Sequence, residues 1–151
     1  MSARTAILAA TAVLAVLVFL LARDEEPSAQ LRALRGDPLA AYVPRGGTLV
    51  DTRSQNEGSS LRKPVSARYT RLFQLASGAS GRALADARAA ATAAGWTPLP
   101  PSRAFPNVFV ADRRLSNGRA QLAVTLFGDA RLLPDDVDPP ALQISLRHLG
   151  P

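Results

Sequence analysis

The sequence predicts an α+β protein in which one N-terminal transmembrane helix is followed by a small two-layer sandwich. In that sandwich one main helix packs on an antiparallel sheet. Three observations predict this class. Residues 5–22 form an unbroken apolar run of 18 residues. Several later segments alternate apolar and polar residues, as half-buried strands do. One alanine-rich segment, residues 82–94, has the composition and the flanking glycines of a helix.

The apolar run is long enough to cross a bilayer. A helix of this length rises about 27 Å, close to the hydrocarbon thickness of a membrane. The run is longer than the core of a cleavable signal peptide. The possible cuts after Ala22 and Ala29 would place Leu20 and Pro27 where a small residue is needed. We therefore expect residues 1–23 to be an uncleaved signal anchor.

The charges beside the anchor leave its orientation open. Arg23, Arg32 and Arg35 outnumber Arg4, and this favours a cytoplasmic C-terminus by the positive-inside rule. A very short N-terminus before a single apolar segment is instead typical of a signal anchor that exports the following domain. We expect a single-pass protein of the plasma membrane whose C-terminal domain is extracytoplasmic.

A turn signal ending at Gly47 divides the remaining chain. We expect residues 24–47 to be a juxtamembrane linker, with a short amphipathic piece at residues 29–35. Residues 48–151 are then the extracytoplasmic α+β domain. Its roughly 105 residues suffice for one hydrophobic core and are few for most enzymes.

Alternation and turn signals predict five strands in the domain. They lie at residues 48–52, 65–75, 105–111, 120–127 and 141–149. The polar residues 53–60 are predicted to be a loop. Asn117 and Gly118 are typical of a tight hairpin turn, so the last three strands fit an antiparallel meander. The strand order of the sheet is not specified by the sequence.

The alanine-rich helix is predicted to lie close on the sheet. Ser80 is its candidate N-cap, and Gly95 stands where a left-handed C-cap belongs. One side of the helix carries small apolar residues at spacings of three and four: Ala83, Leu84, Ala87, Ala90, Ala91 and Ala94. Close packing of this face leaves little room for a cavity. Trp96, directly after the helix, is expected to cover one end of the core.

Composition excludes several kinds of chemistry. The chain has no cysteine, so disulfides, thiolate catalysis and cysteine-based zinc sites are excluded. Its net charge is +6, and 17 of its 18 basic residues are arginine. The arginines are scattered, with no run longer than Arg113-Arg114. Nucleic-acid sites show basic stripes with stacking aromatics, so we expect no nucleic-acid partner.

No catalytic or metal-binding set is evident. His148 is the single histidine, and we expect it at a surface or edge position without a catalytic partner. Ser60 and Lys63 match an S-x-x-K pattern, but Pro64 disfavours the helix that such a pair needs. The acidic residues 135–138 lack the glycine and distal glutamate of an EF-hand loop. We therefore predict a protein that is not an enzyme and uses no cofactor.

Several stretches together resemble a known group of proteins. They are the N-terminal span, Ala41-Tyr-Val-Pro-Arg-Gly46, Val50-Asp-Thr52, Arg62-Lys-Pro-Val65 and the end of the helix, Ala94-Gly-Trp-Thr-Pro98. This combination resembles uncharacterised small single-pass or lipoprotein-like cell-envelope proteins of GC-rich actinobacteria. The resemblance implies a place in the cell envelope and no assigned activity. The lipoprotein members carry an anchoring cysteine, which this chain lacks.

These observations predict a membrane-anchored, non-enzymatic extracytoplasmic interaction module with an envelope protein as its partner. The candidate interaction surface comprises Arg113, Arg114, Asn117, Arg119 and Trp96. The alternative is a domain that binds a small molecule, a lipid or a cell-wall fragment. That alternative requires a pocket between helix and sheet, with Trp96 and Tyr69 in its wall.

Overall fold

The structure is a computed structural model that describes residues 26–60 and 63–150. Its α-helices are α1 (Ala29–Arg35), α2 (Pro38–Ala41) and α3 (Ser80–Ala93). Its strands are β1 (Gly47–Gln55), β2 (Gly58–Ser60), β3 (Lys63–Val65), β4 (Arg68–Leu75), β5 (Thr97–Pro98), β6 (Val108–Leu115), β7 (Gly118–Phe127) and β8 (Ala141–Gly150). A 3-10 turn lies at Ala130–Leu132.

Six of these strands form one antiparallel sheet in the order β1-β4-β8-β7-β6-β5. Strands β2 and β3 form a separate two-stranded ribbon. The predicted α+β class and the antiparallel sheet with one main helix are confirmed, and so is the meander of the last three strands. The final strand, β8, lies in the interior of the sheet because it also pairs with β4.

Alternation along β8 separates a buried face from a more exposed one. Leu142, Ile144, Leu146 and His148 are all buried, whereas the residues between them are half-buried or exposed. Cross-strand neighbours continue the buried face, with Phe73 on β4 opposite Leu142. Because side chains alternate between the two faces of a strand, the helices need to cover only this one side of the sheet.

Helix α3 packs on the sheet through alanine, as predicted. Ala83, Ala87 and Ala91 are buried, and small side chains at these positions let the helix backbone lie close to the strands. The helix begins at Ser80 with Ala79 as its N-cap, which makes no side-chain capping bond, so the prediction of Ser80 as N-cap is wrong.

The end of α3 follows the sequence signal. Gly95 has a φ of +84°, a conformation that costs glycine little. The N–H of Gly95 donates to the Thr92 carbonyl and that of Trp96 to the Ala91 carbonyl, each at 3.0 Å. This pair of bonds is a Schellman motif, which satisfies carbonyls that the helix itself leaves free.

The segment predicted as a linker is part of the folded domain wherever the structure describes it. Leu31, Leu34 and Leu39 are at most 3% exposed and belong to the main core. The helix predicted at residues 29–35 is confirmed, but its apolar face packs on β4 and β8. Helix α3 contacts β5, β6, β7 and β8 of the same sheet, so α1 extends the helical cover to β4.

The prediction of a loop at residues 53–60 is also wrong. Strand β1 continues to Gln55, opposite Arg68, and residues 58–60 pair with residues 63–65. Strand β1 lies at the sheet edge, and most of its side chains are exposed. A strand with little burial on either face has no apolar alternation, so its sequence looks like a loop.

No helix among the described residues has both the length and the apolar character that crossing a membrane requires. The predicted signal anchor, residues 1–23, lies outside the described residues.

Arg71, on β4, connects the sheet to the C-terminal end of α2 by hydrogen bonds. Its Nη1 donates to the carbonyl oxygens of Ala40 and Tyr42, each at 2.9 Å. The guanidinium carbon lies 4.7 Å from the centroid of the Phe73 ring. A cation at the end of a helix bonds carbonyls that have no intrahelical partner, so Arg71 holds the chain where it leaves α2.

Stability should depend on the ionisation of Tyr42 at high pH. Burial raises the pKa of Tyr42 above its ordinary 10.0, and the negative charge of Asp86 raises it further. The folded state therefore favours the neutral phenol. This contribution is fully present below pH 10.0 and is lost as pH rises through the folded pKa. We expect the free energy of unfolding to fall in that range, and Tyr42→Phe to weaken the fall.

Denaturant unfolding at a series of pH values, followed by Trp96 fluorescence, measures this effect. Tyr69→Phe is the matched control, because it removes a phenol and leaves Tyr42 in place. The same pH dependence in wild type and Tyr42→Phe would contradict the assignment to Tyr42.

Candidate interaction surface

The predicted arginine surface is built by the β6–β7 hairpin. The two strands are joined by a two-residue turn, Ser116-Asn117, and Leu115 pairs with Gly118. In this register Arg114 lies directly opposite Arg119. Because Arg113 is one residue removed from Arg114, its side chain lies on the other face of the sheet, towards the helices.

Three arginines nevertheless line one hollow at the β5 side of the sheet. Arg113, Arg114 and Arg119 surround a space of about 500 Å³ together with Gly95, Thr97 and Asp112. We call this space the basic hollow. Strand β5 is only two residues long, so it leaves most of this end of β6 uncovered.

Two of the three arginines are held by carboxylates. Arg113 Nη1 lies 2.7 Å from Asp37 Oδ2, and Arg119 Nη2 lies 2.9 Å from Asp112 Oδ2. Arg114 is exposed and forms no ion pair with any described residue. These three guanidinium groups and two carboxylates leave the hollow with one excess positive charge.

Trp96 is not part of the surface. Its side chain is 2% exposed, and its indole Nε1 donates to Asp37 Oδ1 at 3.2 Å. The expectation that Trp96 covers the core is confirmed, and its assignment to an interaction surface is wrong. Trp96 instead acts beneath the surface, because the carboxylate that it contacts is the one that holds Arg113.

Asp37 is the residue at this site that the sequence analysis missed. Its Oδ1 also accepts from the Leu39 N–H at 2.9 Å, so it is the N-cap of α2. An aspartate directly before a proline is typical of a helix start, with proline at the first helical position. That signal predicts the cap but not the contacts with Trp96 and Arg113.

Asn117 is exposed and fixes the tip of the hairpin. Its Oδ1 lies 3.3 Å from His148 Nε2, and His148 Nδ1 accepts from the Gly150 N–H at 3.0 Å. Because Nδ1 is an acceptor, the ring proton is on Nε2, which donates to Asn117. His148 is fully buried, so the prediction of a surface or edge position is wrong. Its role is to join the hairpin tip to the end of β8.

A second concave region lies beside α3. It is an apolar groove of about 450 Å³ between the helix and residues 99–110. Neither Trp96 nor Tyr69 lines it, so the two wall residues predicted for a ligand pocket are wrong for this groove. Ala83, Ala87 and Ala91 of α3 pack on the sheet as expected. The groove runs along the adjoining side of the helix, and Leu84, which was predicted to belong to the packing face, lines it.

Within the described ranges 26–60 and 63–150, no three histidine or acidic side chains come together as a metal site would require. Comparison of the chain with protein-family models, with curated proteins and with solved structures finds no match. The fold and the surface define a small α+β domain with a six-stranded antiparallel sheet and a basic hollow at one hairpin.

Proposed function

We propose that the protein is a membrane-anchored, non-enzymatic extracytoplasmic interaction module, and that the basic hollow binds an acidic segment of another envelope protein. The anchor and the location are expectations from the sequence. The observation that supports the binding site is that Arg113, Arg114 and Arg119 line one hollow.

The arginines have donors left for a ligand. A guanidinium has five N–H donors, and the ion pair of Arg113 with Asp37 involves Nη1 alone. The side chain of Arg113 is 31% exposed, and Arg114 and Arg119 are more open. Carboxylates bind guanidinium groups in a two-pronged geometry, so an acidic peptide matches these donors in charge and shape.

The two ion pairs also reduce the cost of binding. A free arginine loses side-chain freedom when it is fixed by a ligand. Arg113 and Arg119 are already fixed by Asp37 and Asp112, so a ligand does not have to immobilise them. Arg114 has no carboxylate partner among the described residues, so a ligand carboxylate would form its first ion pair. An interface that relies on exposed charges is steered by electrostatics and weakened by salt.

The lining also favours a protein segment over a nucleic acid. Among the described residues, no aromatic side chain lines the basic hollow, and the nearby Trp96 is buried. Binding of single-stranded nucleic acid relies on bases stacking on exposed aromatic rings.

Crosslinking in intact cells tests this proposal. A photoactivatable residue at the exposed turn position Ser116, in the full chain, should capture one specific envelope protein. Arg114→Glu should reduce the yield of that crosslink by roughly tenfold, because the new carboxylate would repel the acidic segment of the partner. The matched control is Arg103→Glu, the same change at an exposed arginine that does not line the hollow.

Recovery of no specific partner would contradict the proposal. An equal loss of yield with Arg103→Glu would show that general charge, and not the basic hollow, attracts the partner. Mapping of the captured protein should find the crosslink within an acidic stretch.

A further inference from the structure

We propose that the apolar groove beside α3 is a second binding site, and that it takes a single-chain alkyl carboxylate, such as a long-chain fatty acid. This site is separate from the basic hollow and goes beyond the protein interaction proposed above.

The groove has the size and lining of a small-molecule site. Its volume of about 450 Å³ falls within the usual range of ligand pockets. Its main apolar side chains are Leu84, Leu99, Phe105, Val108 and Phe109. The lining also includes Ala85, a small exposed residue of α3 that leaves the space open.

One wall of the groove is rich in proline. Pro100, Pro101 and Pro106 all line it. Proline has a fixed φ and no backbone N–H, so this wall is stiff and presents few donors to bind water. A stiff apolar wall loses little entropy when an alkyl chain is bound.

Large apolar side chains remain exposed at this end of the molecule. Phe109 forms the floor and is 7% exposed, but Leu99 is 36% and Phe105 is 64% exposed. An alkyl chain that covers them would be stabilised by the removal of apolar surface from water.

The apolar path continues past Phe105. A second hollow of about 370 Å³ shares Phe105, Pro106 and Val108 with the groove. It extends to Leu132, which is 70% exposed. Two apolar hollows that meet at one phenylalanine fit a long, thin ligand better than a compact one, which points to a single alkyl chain.

The positive charge of one side chain favours a ligand whose head group is negatively charged. Arg88 lines the groove, with its guanidinium carbon 5.8 Å from the centroid of the Phe109 ring. No acidic residue lines the groove in the described part of the chain. Asp129 lines the second hollow, which Arg88 does not line, and its Oδ1 accepts from the Arg131 N–H. An arginine at the rim of an apolar groove favours a carboxylate head over an amine or an alcohol.

Photolabelling of the full chain tests this site. The protein is extracted with its own membrane into polymer-bounded discs, so that no detergent competes. It is labelled with a long-chain fatty acid that carries a diazirine on its chain, and labelled peptides are mapped by mass spectrometry. We expect labels within residues 81–110, and weaker labelling there by an alkyl alcohol or alkylamine with the same chain.

Two variants separate the head-group contact from the groove itself. Arg88→Gln should reduce labelling by the fatty acid about two- to fivefold, the scale of an exposed ion pair, and leave the alcohol unchanged. Ala85→Trp fills the groove and should remove labelling by both probes. Arg82→Gln is the matched control, since Arg82 is exposed on the same helix and does not line the groove.

Absence of label from residues 81–110 would overturn the proposal, and so would equal labelling of wild type and Arg88→Gln by the fatty acid. Thermal unfolding and circular dichroism show whether each variant is folded. Capture of the protein partner at Ser116 should persist in Ala85→Trp, so failure of the groove and failure of the basic hollow give different results.

Discussion

Replacing Asp37 with alanine is expected to lower the free energy of unfolding by about 2–5 kcal/mol, the combined range for leaving a buried donor without an acceptor and for losing a helix N-cap. Asp37 is 6% exposed and accepts from three donors: the Leu39 N–H at 2.9 Å, Trp96 Nε1 at 3.2 Å and Arg113 Nη1 at 2.7 Å. Alanine would leave a buried indole N–H without an acceptor and α2 without its cap.

Trp96 fluorescence during denaturant unfolding of the full chain measures this loss directly, because the single tryptophan is in contact with the altered side chain. Asp37→Asn should lose less than Asp37→Ala, since the amide oxygen can still accept from Leu39 and Trp96.

The matched control is Asp51→Ala. Asp51 pairs with Arg53 at 2.6 Å, but the arginine side chain is 74% exposed. Exposed pairs contribute at most about 1 kcal/mol. Equal losses in Asp37→Ala and Asp51→Ala would show that the contacts beneath the basic hollow do not stabilise the fold.

Local patterns predicted the elements that are buried on one face. The alternation of Leu142, Ile144 and Leu146 along β8 matches their burial, and the alanines of α3 match its contact with the sheet. These predictions succeeded because strand and helix periods are set by backbone geometry, which acts on neighbouring residues.

Contacts between distant segments were not predictable from such patterns. The spacing of Leu31 and Leu34 gives a helical face, but not the strands that it covers. Asp37 meets Trp96 and Arg113 across 59 and 76 residues of chain. The end of the exposed edge strand β1, residues 53–55, carries no apolar alternation, since all of its side chains are exposed.

At the candidate site, too, local features were predictable and contacts between distant segments were not. Asn117 and Gly118 predicted the hairpin, and its register brings Arg114 opposite Arg119. The hollow itself depends on where β5 ends and on Asp37, which the sequence analysis had placed in a linker. The apolar groove was missed because residues 99–107 form an irregular, proline-rich segment. The strand predicted at residues 105–111 begins only at Val108, so residues 105–106 belong to the groove wall and not to the sheet.

Gly118→Ala is expected to lower the free energy of unfolding by about 2–5 kcal/mol, from backbone strain together with overpacking. Gly118 has a φ of +139°, a backbone conformation that residues other than glycine rarely adopt. An added Cβ would overlap the carbonyl oxygen of Gly150 and lie 2.9 Å from His148 Cε1. Neither neighbour can move freely, because the Gly150 N–H is bonded to the His148 ring.

Gly128→Ala is the matched control, because its φ is not in the left-handed region and no atom of residues 26–60 or 63–150 outside its chain neighbours lies within 4 Å of the added Cβ. It should change stability by no more than about 0.5 kcal/mol. Denaturant unfolding followed by Trp96 fluorescence measures both variants. Equal unfolding midpoints for Gly118→Ala and Gly128→Ala would contradict the close approach of the hairpin to the end of β8. If the large loss is found, the partner crosslink at Ser116 should weaken as well. The reason is that a shift of the backbone at residue 118 would also displace its neighbours Asn117 and Arg119.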